Sequence, residues 1–172
     1  MTDPGHPPVT LEEWERRKSF VGFGKEDEDI LAELHLVAKT YAGEVMAELY
    51  DRWLSADEVR AFFKDDATLV RVKGLQKRYF VSLTGGDYGA NYLADRLRIG
   101  RVHQRIGLEP RWYMGAYAIY MQIVAPRVLA AFEYNRVKQA RAIAALLKII
   151  ALDQELAMLT YFAELPAGDD RA

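Results

Sequence analysis

Residues 98–117 read RIGRVHQRIGLEPRWYMGAY. On a helical wheel Arg98, Arg101 and Arg105 fall on one arc, which must face water. His103 lies roughly opposite, flanked by Ile99 and Ile106. An imidazole on that apolar side is desolvated and biased towards its neutral, ligating form. Gly100, one turn earlier, removes side-chain bulk near the imidazole, so a flat group could approach there. Taken alone, such a residue is more often a core histidine satisfied by a hydrogen bond. Gly107 ends the helix, and Pro110 opens the next one where a missing N–H costs nothing.

Outward from this stretch the helical period continues in both directions, and strand alternation is scarce. Upstream, Thr10 with Glu13 predicts a helix over about 10–20, ended near the glycines of FVGFG. The next runs from about 26 to 54, open to a break at Gly43. Its stripe is Ile30, Leu34, Val37, Tyr41, Val45, Leu49 and Trp53. Ser55 with Glu58 starts a short helix carrying Phe62 and Phe63. Asp65 or Asp66 opens a helix through Leu83, stopped by Gly85–Gly86. A helix over about 89–106 carries His103. Downstream come 110–134, with a kink expected at Pro126, and 136–165. The expectation is an all-α body over 10–165, with flexible tails at 1–9 and 166–172. Residues 112–124 are apolar around the whole helix, so that helix must be covered on both sides.

Composition narrows the function. The 172 residues suit one domain, 51% hydrophobic and 28% charged, which argues against disorder. Lys plus Arg is 23 against 25 for Asp plus Glu, so nothing favours nucleic acid as a partner. With no cysteine, disulfides, thiolate catalysis, iron–sulfur clusters and C-x-x-C-H haem attachment are excluded. Three histidines cannot build a histidine cage. The stretch from Trp112 to Pro126 is too short to span a bilayer, and the N-terminus lacks a signal-peptide pattern. A cytoplasmic, membrane-free protein is expected. Phosphate-binding glycine loops, nucleophile elbows and H-E-x-x-H are absent.

Two further residues stand out. Tyr50, in AELYDRWL, shares a helix with Leu49 and Trp53; a core tyrosine is its ordinary reading. Gln76 lies in the middle of the apolar face formed by Leu69, Val72, Tyr79, Phe80 and Leu83. A buried amide there must bond to the protein or to a ligand.

The spacing of Gly100, His103, Gly107, Leu108, Pro110, Trp112, Tyr113, Ala116 and Tyr117 resembles the proximal-histidine signature of globin-coupled sensors, the bacterial haem-based gas sensors. The resemblance extends through LYDRWL (49–54), AFF (61–63), LTGGDY (83–88) and KIIALDQELAMLTYF (148–162). It implies a globin fold, a three-over-three helical sandwich with an extra N-terminal helix and no D helix. It implies a non-covalent haem b, with His103 bonding iron through Nε2 and Tyr50 pointing its hydroxyl at bound gas. By the same resemblance Tyr113 hydrogen-bonds near the proximal imidazole. Phe62, Phe63, Tyr79, Ile99, Gly100, Ile106, Trp112 and Tyr113 would contact the haem, and Val72, Leu75 and Gln76 would line the distal side. O₂, CO and NO are the implied ligands, with a homodimer through helices at about 111–134 and 136–165.

Three functions follow. The first is a gas-sensing domain that transmits ligand state through a helical dimer to an output domain outside this chain. The second is a stand-alone haem globin enzyme, turning over NO with oxygen or removing peroxide. The third discards the haem and leaves a helical dimerisation module.

Overall fold

Polar and glycine signals set the helix ends in the computed structural model, which describes residues 9–162. Thr10 Oγ1 accepts the Glu13 N–H at 3.2 Å and opens α1 (Leu11–Phe20). Asp27 reaches back to the Gly24 N–H at 3.0 Å at the start of α2 (Lys25–Trp53). A short α3 (Asp57–Arg60) follows, but Ser55 does not cap it, because its hydroxyl donates to the Arg52 carbonyl at 2.6 Å. Asp65 accepts the Thr68 N–H at 2.6 Å and opens α4 (Asp66–Ser82). Gly107, at φ 74°, turns the chain between α5 (Ala90–Arg105) and α6 (Pro110–Ala131). The last helix is α7 (Arg136–Phe162). Among the described residues there are seven helices and no strand.

Two expectations are corrected, at Gly43 and at Val9. The second helix does not break at Gly43; a side chain there would meet only open space, so the glycine costs its propensity, about 1 kcal/mol, and nothing more. Pro126, where a kink was expected, lies inside α6, which runs on to Ala131, and beside it Arg127 donates to the Ile123 carbonyl at 2.8 Å. Val9, assigned to a tail, is buried in the core at 1% exposure. The remaining tail residues, 1–8 and 166–172, lie outside the described residues.

Packing follows from the apolar faces. α5 lies along α7, and α2 packs on α4, α6 and α7. α1 is the extra N-terminal helix, and it packs on α5 through Trp14. The Trp14 indole is fully buried, stacks on Tyr92 at 6.1 Å, and donates to the Tyr88 carbonyl at 2.7 Å. A second cluster gathers Leu49, Tyr50, Phe80, Tyr120 and Ile123 between α2, α4 and α6. No helix of the described residues is long and apolar enough to cross a membrane.

Candidate functional site

α5 carries His103 in its last turn. The imidazole packs against the Tyr113 ring of α6, 5.0 Å between centroids and inclined by 59°. Burial pushes its pKa down to about 4, and the Ile99 carbonyl one turn back pulls weakly the other way. That carbonyl is close enough to favour a protonated Nδ1, yet the atom is buried without a hydrogen bond of normal geometry. The ring is therefore neutral at physiological pH and under-used as a hydrogen-bonding group.

From His103 an aromatic face runs along α6 to Tyr50. Tyr113, Tyr117 and Tyr120 fall at helical steps of four and three, with ring centroids 5.4 and 6.3 Å apart. Trp53 meets Tyr120 edge-on at 6.3 Å, and Tyr50 meets Trp53 at 5.2 Å. Phe63 closes over Tyr50 at 5.8 Å, and Val72 and Tyr79 pack on the same cluster. The Tyr50 ring is fully buried and the Lys73 ammonium lies 5.0 Å from its centroid. Burial raises the Tyr50 pKa, so the phenol keeps its proton. Its hydroxyl and the Trp53 Nε1 are both buried without a partner. A buried donor without an acceptor costs about 1–3 kcal/mol. The Tyr50 hydroxyl and the Trp53 Nε1, two such donors on one aromatic face, therefore fit a polar guest that lies against it. An imidazole at one end and a phenol donor at the other suit a haem in particular.

Other expected contacts are redistributed. Gln76 donates from Nε2 to the Tyr120 hydroxyl at 2.9 Å, so its amide is bonded within the protein. Leu75 is 46% exposed and Ile106 51% exposed; neither is enclosed as a lining residue. Phe62 and Ile99 are half-buried. The half-buried Trp112 ring is faced by the Arg111 guanidinium at 5.0 Å. The Tyr113 ring touches His103 as expected, but its hydroxyl meets that of Tyr117 at 3.0 Å. Gly100 does not face a flat ligand. A Cβ there would lie 2.6 Å from Thr160 Oγ1 and 2.9 Å from the Ala157 Cα, so the glycine lets α5 and α7 touch.

That contact yields a stability prediction. Gly100→Ala gains about 1 kcal/mol in helix propensity but forces α7 backbone away, at about 3 kcal/mol. The net expectation is a loss of about 2 kcal/mol, read from urea midpoints; an unchanged midpoint contradicts the close approach.

Sequence reading missed the buried ion pair beside this face. Asp153 of α7 is fully buried, and Arg96 of α5 is 4% exposed. Arg96 Nε donates to Asp153 Oδ2 at 3.1 Å and Nη2 to the Ser82 hydroxyl at 2.8 Å. Tyr79 donates to the same carboxylate at 2.5 Å, and Tyr92 at 2.7 Å. The guanidinium is sandwiched by the Tyr79 and Tyr92 rings, 4.3 and 4.0 Å from their centroids. Burial raises the Asp153 carboxyl above the usual carboxylate range, although Arg96 and the two hydroxyls pull the other way. The group accepts from Tyr79, Tyr92 and the permanently charged Arg96, the hydrogen-bond pattern of an ionised carboxylate. The signal was present: Asp153 sits on the α7 stripe Leu146, Ile149, Ile150, Leu156, Ala157 and Thr160, where a charge is out of place.

A family model described as Protoglobin matches residues 10–166. The heme-based aerotactic transducer HemAT of Halobacterium salinarum is 30% identical over 158 residues, which is 84% of this chain and 32% of that protein. The chain thus spans about a third of the transducer's length. The globin domain of a Geobacter sulfurreducens globin-coupled sensor superposes with a TM-score of 0.81 at 25% identity, covering 86% of this chain and 96% of that one. The family match over residues 10–166 and the structural likeness agree, and the chain belongs to the protoglobin family, with a globin fold.

Proposed function

We propose that this chain is the gas-sensing globin domain of a cytoplasmic, homodimeric signalling protein, holding haem b with His103 as its one protein ligand to iron. The observation that carries this reading is the neutral imidazole of His103 at one end of an aromatic face whose other end holds the buried, unpartnered phenol of Tyr50. Bound there, haem would supply a ferrous iron able to take O₂, CO or NO. His103 would ligate through Nε2, leaving Nδ1–H for an acceptor of the protein, the usual arrangement of a metal-bound histidine. Phe63, Val72 and Tyr79 would pack the cofactor and exclude water.

Tyr50 would select among gases. A protonated phenol in a dry pocket favours the diatomic that draws electron density onto its outer atom, as O₂ does far more than CO. One such bond is worth about 1–3 kcal/mol, roughly tenfold to a hundredfold in affinity. In Tyr50→Phe, O₂ dissociation measured by stopped flow should therefore accelerate by that factor, with CO dissociation nearly unchanged. Equal effects on both gases, or none, would contradict the role.

The outward faces of the last two helices support the dimer. Met114 and Leu129 on α6 and Leu147 on α7 remain exposed, so the monomer covers only one side of each helix. The output is the kind of partner a transducer regulates. The relatives are named as a transducer and as a sensor domain, which favours signalling over a stand-alone NO or peroxide enzyme.

A further inference from the structure

Three helices, α4, α5 and α7, meet at the Asp153 carboxylate, and α6 joins them through the Tyr79 hydroxyl; the direction of the hydrogen bonds there can be worked out. A carboxylate only accepts, so Tyr79 must spend its single proton on Asp153. The Tyr79 hydroxyl also meets the Tyr117 hydroxyl. With its own proton committed, Tyr79 accepts there, and Tyr117 donates. Tyr117 in turn meets the Tyr113 hydroxyl at 3.0 Å, and having donated to Tyr79 it accepts from Tyr113. All three phenols are held protonated by burial. The chain therefore runs one way, Tyr113 to Tyr117 to Tyr79 to Asp153. Tyr113, whose ring rests on His103, is left with lone pairs and no free proton on its oxygen.

We propose that Asp153 is a positioning residue: its charge orients this hydroxyl chain, fixes Tyr113 as an acceptor beside His103, and ties the proximal side of the site to α7. The inference rests on the haem reading above. Arg96 anchors the carboxylate from α5, the helix that carries His103, and Tyr79 anchors it from α4, which also supplies Val72 and Gln76. Displacement of His103 or of α4 is thus felt at one point on α7, the helix that ends the described chain. The Tyr113 ring rests on the imidazole that would hold the iron, and Nδ1 of that imidazole has no hydrogen bond of normal geometry; a hydroxyl offered to it as an acceptor would increase its electron donation to iron, so the proximal bond itself reports the chain's direction.

The test is resonance Raman spectroscopy of the reduced, haem-loaded 172-residue protein, with amide hydrogen exchange of α7 measured with and without CO. Tyr117→Phe removes the bridging hydroxyl and keeps the ring. It should lower the iron–histidine stretching frequency and abolish the CO-dependent change in α7 exchange around Asp153. Asp153→Asn should lower the frequency as well; if it fails to fold, Tyr117→Phe decides. Tyr92→Phe removes a hydroxyl from the same carboxylate but lies off the chain, so it should leave the frequency unmoved. A parental frequency and parental α7 response in Tyr117→Phe would overturn the proposal, as would an equal shift in Tyr92→Phe. A parent protein that takes up no haem would overturn the haem reading together with this one, whereas a haem-loaded parent with unresponsive variants overturns only this one.

Discussion

His103→Ala is expected to give a helical, folded protein that is purified from haem-supplied cells without its Soret band. Loss of a residue that merely supports a metal ligand costs tenfold to a hundredfold in affinity, so loss of the ligand itself should cost more than about a hundredfold. Folding should survive, because His103 makes one ring contact with Tyr113 and leaves Nδ1 unbonded. The haem-free parent should carry a pH signature that the variant lacks. His103 titrates near 6.5 when unfolded and about 4 when folded, lowered by burial. Below pH 6.5 the unfolded chain takes a proton that the folded one refuses, so stability is full above 6.5 and declines towards pH 4. The loss amounts to about 3 kcal/mol. Urea midpoints of haem-free parent and His103→Ala should converge as pH falls through this window, and parallel curves would contradict the half-buried, neutral imidazole.

Asp153→Ala should be the most destabilising single substitution in the chain, by about 3–5 kcal/mol. The cost comes from what remains: a buried Arg96 with no counter-charge and two tyrosine hydroxyls with no carboxylate. Against a total stability of about 5–15 kcal/mol, that is enough to lower the midpoint sharply in urea. Removing both charges, as in Asp153→Ala with Arg96→Met, should recover part of the loss, because no uncompensated charge stays buried. A loss under about 1 kcal/mol in the single variant, or no recovery in the double, would show that the pair does not organise the core.

Much of the fold was legible because its signals are local. Thr10, Asp65, Gly107 and Pro110 mark helix ends by hydrogen bonding and backbone geometry alone, and the structure uses each of them so. His103 was legible from its place opposite three arginines. Gly100 was misread because a glycine on a helix looks the same whether it makes room for a ligand or for another helix. Only the position of α7 decides, and that is a long-range fact. Gln76 and the Tyr113 hydroxyl went elsewhere for the same reason. Their partners, Tyr120 and Tyr117, are set by how α6 packs. Asp153 and Arg96 were passed over because charged residues abound in the sequence, although each interrupts an apolar stripe.

Imidazole rescue tests the central claim most directly. In His103→Gly, reduced under CO, the Soret band should be weak or displaced, and added imidazole should restore the parental position. Restoration would show that an imidazole at this one point on α5 holds the haem that the aromatic face receives. A parental spectrum in His103→Gly without imidazole would contradict the account, since the iron would then be held by some other residue.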